Sequence, residues 1–330
     1  MQNIENILII IVTRIGDTAL ITPILKSISL YFPDSKITVM AHPKRASILR
    51  NLPFIYEVKG ITKKSAPFKG WLMTRKFDLS FVYEYDIELM RYSFRVSKKT
   101  IAFTQNSEKI NRQLYKHIDP VSEKYVTQIN RLMLLPGLLD IPLKSKQIQY
   151  KVSSLESENA LKFLKANNIS RKFLIGFQAV SFPTKSFRDW PIENFFHLAQ
   201  NLQKKNPECF FIIFGGNDPN EREKNQWLDD VLGNNSLNIS GLSLRETAAI
   251  MNNLNLYVGV DTGPSHIMSA FKIPTVVLYH NTFPSNYFGL DQHNLFKAID
   301  HPKIQSQNEE SMKDITIQKV YTEITTLMSY

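Results

Sequence analysis

Short blocks of consecutive apolar residues alternate along the chain with segments whose apolar residues recur at intervals of three and four. Residues 7–12 form the first block, and residues 24–32 have the helical spacing. Pro33 and Asp34 end that helix, and residues 37–40 form the next apolar block. This order of strand, helix and strand predicts a βαβ unit in a parallel sheet that is buried on both faces.

The alternation continues through the chain and predicts two doubly wound α/β domains. In the first half, strands are also predicted at residues 79–83 and 101–103, and the pattern becomes helical after about residue 105. In the second half, strands are predicted at residues 173–177, 210–214, 237–239, 256–260 and 275–279, and helices begin near residues 194, 221, 245 and 264. A polar stretch at residues 144–147 breaks the periodicity, so we place the domain boundary at residue 150.

The predicted domains are therefore residues 1–150 and 151–310, followed by a closing segment, 311–330, that contains an amphipathic helix. A chain of 330 residues, of which 43% are hydrophobic, is long enough for two such cores. The single cysteine, Cys209, lies in an apolar run, which excludes a disulfide or a cysteine-based metal site. The first apolar block is short and follows Glu5, so we interpret it as a core strand and expect a cytoplasmic protein.

The formal net charge of +10 at pH 7 predicts attraction to polyanions, which include nucleic acids, anionic lipids and phosphorylated substrates. The basic residues are scattered, and no helix-turn-helix, zinc-finger or RNA-recognition signature is present, so a nucleic-acid partner is disfavoured. Histidines and carboxylates do not have the spacing of a zinc site. The first strand leads into Arg14-Ile15-Gly16-Asp17 instead of the dinucleotide motif G-x-G-x-x-G, which disfavours a dehydrogenase.

The strongest candidate for chemistry is the segment after the predicted strand 256–260. In open α/β sheets, ligands bind at the carboxyl ends of strands, where the N–H groups of helix N-termini favour anions. Gly263 allows a sharp turn, and Pro264 is suited to the first turn of a helix. The N–H groups of Thr262, Gly263 and Ser265 are therefore candidates for binding a diphosphate.

Two side chains in this segment have competing interpretations. The charge of Asp261 would repel a phosphate, so Asp261 is better suited to contact a sugar or another hydroxyl. The alternative is that Asp261 or Thr262 only caps the helix. His266 is a candidate contact for phosphate or sugar, although a lone histidine is more often packed in a core.

The segment after the first strand supplies a second candidate. Asp17 lies near a strand end, where a carboxylate can accept the proton of an attacking hydroxyl as a general base. Arg14 and Thr18 lie on either side of it. The alternative is that Asp17 is a helix cap and that Gly16 serves only the turn.

A third candidate is the loop at residues 181–191, which also follows a strand. Lys185 and Arg188 in this loop are suited to neutralise a leaving diphosphate, a task that a magnesium ion performs in other enzymes. The alternative is that both are solvated surface charges.

Residues 214–221 contain a glycine pair followed by Asp218 and Glu221, which are suited to accept hydrogen bonds from ribose hydroxyls. The same residue types also form simple turns. Residues 243–246 form a helix capping box, to which we assign a structural role.

Together these segments resemble glycosyltransferase family nine, the heptosyltransferases of lipopolysaccharide. The resemblance extends in order from about residue 5 to 285, and its most specific part is Asp261-Thr262-Gly263-Pro264-x-His266. The other parts are Arg14-x-Gly16-Asp17 with Thr22-Pro23, Arg188-Asp189-Trp190-Pro191, Gly215-Gly216 and Gly241-x-Ser243-Leu244-Arg245-Glu246. The resemblance implies a GT-B architecture, in which two Rossmann-like domains face each other across a cleft and the last helix packs back on the first domain.

The resemblance also implies an inverting transfer of heptose from ADP-heptose to a lipopolysaccharide core, without a metal or other cofactor. It implies that Asp17 is the catalytic base and that Arg14 and Thr18 contact the acceptor. The donor-binding residues that it implies are Ser181, Thr184, Lys185, Arg188, Asp218, Glu221, Asp261, Thr262, Gly263, Pro264 and His266.

Alternatives remain at this point. The loop before Arg188 departs from the family pattern, so another nucleotide sugar is an alternative donor. A nucleotide-sugar hydrolase or epimerase of the same fold, and a binding protein without turnover, are the alternative functions. The basic surface is expected to contact phosphorylated core sugars and an anionic inner membrane.

Overall fold

The computed structural model describes residues 4–71, 75–121, 126–291 and 293–328, and the chain forms two compact units. The first unit comprises Met1–Lys151 and Tyr287–Asp291, and the second comprises Val152–Asn286 and Gln292–Tyr330. Each unit contains a six-stranded parallel sheet within the described residues. No helix in these ranges is long and apolar enough to cross a bilayer.

The first unit is a doubly wound α/β sheet in the order β3-β2-β1-β4-β5-β6. Its strands are β1 Asn6–Ile11, β2 Lys36–Ala41, β3 Glu57–Gly60, β4 Phe77–Val82, β5 Ser97–Phe103 and β6 Lys116–Ile118. Its helices are α1 Ile15–Leu20, α2 Thr22–Tyr31, α3 Ile87–Val96, α4 Glu108–Asn111 and α5 Gln128–Gly137. The strand order reverses between β1 and β4, and a ligand crevice is expected at such a point.

The second unit repeats this plan in the order β12-β11-β10-β7-β8-β9, which reverses between β10 and β7. Its strands are β7 Phe173–Gln178, β8 Cys209–Ile213, β9 Ser236–Asn238, β10 Leu256–Val260, β11 Thr275–Tyr279 and β12 Phe296–Asp300. Its helices are α6 Ser154–Ala166, α7 Ile192–Lys205, α8 Pro219–Leu232, α9 Leu244–Met251, α10 Gly263–Met268 and α11 Ile317–Leu327.

The central strands are the ones that the apolar pattern predicts. Every residue of β10 is buried, and its neighbours β7 and β11 are buried almost throughout. The edge strands β3, β6 and β12 were not predicted from the sequence. Their residues are half-buried or exposed at most positions, because an edge strand is covered less completely, and so the apolar signal is weak.

The closing helix, α11, completes the core of the second unit. Its buried residues Val320, Ile324 and Leu327 belong to the same apolar cluster as Leu198 and Leu202 of α7. The sequence-based expectation that residues 311–330 pack back on the first domain is therefore wrong. The apolar side of the amphipathic helix packs in the core of the second unit.

Two capping boxes support the second unit. The Ser243 side chain accepts the N–H of Glu246, whose carboxylate in turn accepts the N–H of Ser243, as the sequence predicts. Ser153 and Glu156 form the same reciprocal pair at the start of α6. Arg245 donates to Glu156 at 2.7 Å and holds the pKa of that carboxyl at about 2. The segment therefore joins α9 to α6 and has a structural role.

Candidate functional site

The strand ends at the reversal point of the second unit bring Arg188 and Asp261 together. Asp261 directly follows β10, and Arg188 lies in the loop after β7, the neighbouring strand. The Arg188 guanidinium Nη1 donates to Asp261 Oδ2 at 2.7 Å, and the side chains are 15% and 2% exposed. The predicted basic loop thus reaches the predicted aspartate, and Arg188 is not a solvated surface charge.

Two polar atoms of this pair are buried without a hydrogen bond. Arg188 Nε and Asp261 Oδ1 have no hydrogen-bond partner within the described residues. His266 Nε2 lies 3.3 Å from Asp261 Oδ1, close enough for an ionic contact when the imidazole is protonated. Buried polar groups nearly always make hydrogen bonds. A buried donor and a buried acceptor without hydrogen bonds at the same strand end therefore indicate a binding place for a polar ligand.

Aromatic rings surround the cations of the loop, and the sequence did not predict this. The Arg188 guanidinium lies 4.3 Å from the centre of the Phe283 ring and 5.6 Å from that of Phe187. Lys185 Nζ lies 5.4 Å from the centres of the same two rings. Contact with aromatic faces attracts and orients cations. The two basic residues are therefore placed side by side.

The start of α10 is not capped by the side chain at its N-cap. Thr262 occupies that position, but its hydroxyl makes no capping bond and lies 3.3 Å from Ser265 Oγ. The Ser265 hydroxyl donates to the Val260 carbonyl at 2.7 Å. The alternative that Thr262 merely caps the helix therefore does not hold. Gly263 is the first residue of the helix and does not adopt a positive φ, so a left-handed backbone is not the reason for a glycine at this position.

The loop at residues 181–189 is held together by its own polar groups. The Ser181 hydroxyl donates to Asp189 Oδ1 at 2.6 Å and is within 2.7 Å of the Lys185 carbonyl. Lys224 Nζ contacts Asp189 Oδ2 at 2.9 Å. Thr184 is exposed on the loop. Ser181, which we expected to bind the donor, thus shapes the loop that presents Arg188.

The two candidate ribose ligands differ in their surroundings. Asp218 caps α8, where its Oδ1 accepts the N–H of Asn220 at 3.0 Å. Glu221 is buried, and burial raises the pKa of its carboxyl although the Gly216 N–H donates to it. A β-carbon on Gly216 would lie 2.8 Å from Glu221 Oε2, so a larger residue here would displace the end of the Glu221 side chain. The geometry favours Glu221 over Asp218 as a ligand-facing group.

The strand end at the reversal point of the first unit presents Asp17. Asp17 lies in the first turn of α1, where it is half-buried and accepts the Thr13 hydroxyl at 3.0 Å. The N-cap position belongs to Arg14, so the alternative that Asp17 is the cap does not hold. The Arg14 side chain is exposed, whereas Thr18 is fully buried and donates to the Arg14 carbonyl at 2.7 Å. Thr18 therefore has a structural role and does not face an acceptor.

Glu84 is a further carboxyl at this strand end that the sequence analysis missed. It follows β4, the strand beside β1, and its Oε1 accepts the Val12 N–H at 2.6 Å. Burial raises the pKa of Glu84 to about 7, and the charges of Asp86 and Asp17 act in the same direction. This carboxyl therefore gains and loses its proton near neutral pH. The rule that selected Asp17, a polar residue at the carboxyl end of a central strand, also selects Glu84.

Comparisons with known proteins agree on one family. The sequence matches the model described as glycosyltransferase family 9 (heptosyltransferase) over residues 90–319. It is 22% identical over 285 residues to lipopolysaccharide heptosyltransferase 3 of Escherichia coli. This aligned region covers 81% of this chain and 81% of that protein.

Solved structures of similar fold extend the match to almost the whole chain. A glycosyl transferase family 9 protein of Veillonella parvula superposes with a TM-score of 0.82 at 19% identity, over 98% of this chain and 97% of that chain. ADP-heptose lps heptosyltransferase II of E. coli gives a TM-score of 0.81 at 20% identity, over 98% of both chains. The predicted GT-B fold class, with two Rossmann-like domains, is confirmed.

Proposed function

Because this chain belongs to glycosyltransferase family 9, the heptosyltransferase family, we propose that it transfers a heptose from ADP-heptose to a lipopolysaccharide core sugar. The curated relative is named a lipopolysaccharide heptosyltransferase, and one structural neighbour is named an ADP-heptose enzyme. We propose the same donor and the same class of acceptor for this protein.

The observation that supports this proposal most directly is the Arg188–Asp261 pair at the reversal point of the second unit. A leaving nucleoside diphosphate needs positive charge, which Arg188 and the neighbouring Lys185 supply. A sugar needs hydroxyl acceptors, and Asp261 Oδ1, which accepts no hydrogen bond within the described residues, is one. Glu221 is then the candidate for the ribose. The N–H groups at the start of α10, with Thr262 and Gly263, complete the binding of the diphosphate.

The proposed reaction is a single displacement with inversion. The oxygen of the acceptor hydroxyl attacks the anomeric carbon, and the bond from that carbon to the diphosphate oxygen breaks. Asp17 takes the proton of the attacking hydroxyl. The electron pair of the broken bond stays on the nucleoside diphosphate, where Arg188 stabilises the developing charge. Since the protein supplies this cation itself, we propose that transfer requires no metal ion.

A pair of measurements tests the proposal. In a thermal-shift screen of nucleotides and nucleotide sugars, ADP and ADP-heptose should raise the melting temperature because they bind only the folded protein. With ADP-heptose and a heptose-deficient lipopolysaccharide core, mass spectrometry should detect a core extended by one heptose, also in the presence of EDTA. Selective stabilisation by UDP or GDP would contradict the donor. Free heptose or an isomer of the donor as the product would indicate a hydrolase or an epimerase, and binding without turnover a binding protein.

We also propose that the protein works in the cytoplasm, in peripheral contact with the anionic face of the inner membrane. The acceptor is attached to lipid, and the chain has a formal net charge of +10. Binding to anionic vesicles should therefore weaken as the salt concentration rises. Vesicle binding that is independent of salt would contradict this role of the charge.

A further inference from the structure

The first unit has a protruding segment at residues 61–71, between β3 and β4, which we call the aromatic lobe. Two of its large apolar side chains lie in solvent: Phe68 is 84% exposed and Trp71 is 68% exposed. Phe68 has the highest exposure among the large hydrophobic residues that the structure describes, and Trp71 and Phe182 share the next highest. Water-exposed aromatic rings next to each other in a chain indicate a contact surface.

The lobe is anchored, so the exposure of the rings is not a consequence of a loose loop. Ile61 and Ala66 are fully buried in the core of the first unit. The Arg95 side chain of α3 donates to the carbonyls of Ala66 and Lys69 at 2.6 and 3.0 Å. Its guanidinium also lies 4.8 Å from the centre of the Trp71 ring. The fold thus holds the lobe in a fixed conformation with its two rings pointing outward.

The charge around the rings has one sign. Residues 61–76 contain five basic residues and no acidic residue. All five are exposed, and they are Lys63, Lys64, Lys69, Arg75 and Lys76. Lys63 lies 3.6 Å from Asp86, whose side chain is 18% exposed, so this lysine is partly neutralised and the other four carry the charge of the segment.

A second pair of exposed apolar side chains lies among charges of both signs, unlike the aromatic lobe. Leu155 and Leu161 of α6, in the second unit, are 65% and 55% exposed. They lie on a helix that carries charges of both signs, as in the pair of Glu158 and Lys162 at 2.8 Å. Such a surface does not attract a polyanion, whereas the aromatic lobe does.

We infer that the aromatic lobe is the surface by which this protein docks on an anionic lipid bilayer, with Phe68 and Trp71 in the headgroup region and the surrounding lysines on lipid phosphates. Tryptophan is enriched at the boundary between water and lipid, and each basic residue near an anionic surface adds to the attraction. The inference rests on the proposed function in one respect, because a lipid-attached acceptor gives the docking its purpose.

The test uses the full-length protein and vesicles of phosphatidylglycerol and phosphatidylcholine, with brominated acyl chains as fluorescence quenchers. The unchanged protein should co-sediment with the anionic vesicles, and brominated lipid should quench Trp71, whereas Trp190 is buried and reports little. Trp227 of the second unit is 39% exposed, so the quenching is measured in a W227F background. F68S/W71S should weaken partitioning about tenfold or more. K64Q/K76Q should weaken it more than tenfold, since each charge accounts for about fivefold.

Matched variants separate the lobe from general effects. L155S/L161S removes two exposed apolar side chains of the second unit and should leave partitioning unchanged. F68S/W71S should retain the melting temperature and, with a core acceptor freed of lipid, the transfer rate of the unchanged protein. The vesicle assay needs no nucleotide or acceptor, so its result does not depend on the test of the proposed function.

The inference is overturned if anionic vesicles are not bound, or if F68S/W71S binds them as well as the unchanged protein does. A dimer or an RNA complex that F68S/W71S abolishes, without any effect on vesicle binding, overturns it too.

Discussion

The strand ends at β1 and β10 occupy equivalent places in the two units, yet the carboxylates that follow them have different surroundings. Each strand lies where the strand order reverses. Asp261 after β10 is 2% exposed and is paired with the Arg188 cation at 2.7 Å. Asp17 after β1 is half-buried and accepts a bond from the neutral hydroxyl of Thr13 at 3.0 Å.

This difference suits the two carboxylates to different tasks. Asp261 is held in place by this ion pair, and its second carboxylate oxygen remains as a hydrogen-bond acceptor. No such cation is paired with Asp17 among the described residues. Its neighbour is Glu84, whose pKa is raised to about 7 by burial. The strand end after β10 is therefore suited to hold a ligand, and the strand end after β1 is suited to exchange a proton. The predictions below test this contrast, beginning with the largest effect.

Asp17→Asn should have the largest effect on the rate. It removes the proton acceptor and leaves the donor residues intact, so kcat should fall about 1,000-fold, the usual size of a general-base contribution. Steady-state kinetics and thermal shift with ADP together measure this, since the ADP response should persist. Asp119→Asn, an exposed aspartate of the same unit, is the matched control. A D17N protein with normal kcat would show that the base lies elsewhere.

Arg188→Ala should reduce both stability and donor use. Truncation leaves the charge of Asp261 buried without its partner, which costs about 3 kcal/mol of the free energy of unfolding. Loss of the cation that faces the diphosphate should lower kcat/KM about 100-fold. Urea denaturation and kinetics measure the two effects, with the exposed Arg171→Ala as control. If R188A unfolds like the unchanged protein, Asp261 is not held by this pair.

Glu84→Gln should change how stability depends on pH. The folded pKa of about 7 exceeds the ordinary value of 4.5, so the folded state keeps a proton that the unfolded state releases between these values. The stability from Glu84 is complete below pH 4.5 and is lost as the pH rises through 7. Relative to the unchanged protein, E84Q should therefore gain about 3 kcal/mol between pH 4.5 and pH 8. Urea melts across this range measure the gain.

A control accompanies the Glu84 experiment. Glu108→Gln changes a glutamate whose side chain is 72% exposed, and it should shift stability equally at both pH values. Parallel curves for E84Q and the unchanged protein would mean that the pKa of Glu84 is the same in the folded and unfolded states.

Phe283→Leu should have the smallest effect. It keeps most of the side-chain volume but removes the aromatic face that lies 4.3 Å from Arg188. A cation–π contact of this kind contributes about 1 kcal/mol, so KM for the donor should rise about fivefold while kcat stays close to normal. The exposed Phe182→Leu in the same loop serves as control. An unchanged KM would show that the ion pair with Asp261 alone orients Arg188.

The sequence predicted elements best where burial is uniform. The predicted strand 256–260 coincides with β10 because all five of its residues are buried, and periodicity reports burial. The edge strand β3, Glu57–Gly60, was missed because its residues are only half-buried. The closing helix was recognised as amphipathic, but the pattern does not say which core takes its apolar side.

Among the candidate site residues, the sequence selected positions but did not predict their partners. Asp17 and Asp261 were selected because they follow central strands, and the structure places both at reversal points. Ser181 and Thr18 were selected by the same proximity, although their hydroxyls bond within their own loops. Side-chain direction separates these cases, and spacing along the chain does not record it.

The sequence by itself thus determined the two doubly wound sheets and the strand ends at which chemistry is expected, because strand order and burial leave a periodic record in the chain. Only the tertiary structure decided that Arg188 reaches Asp261, that Phe283 lies against that arginine, and that burial raises the pKa of Glu84. These contacts join residues about 70 or more positions apart, or depend on local burial, and local sequence carries no signal for either.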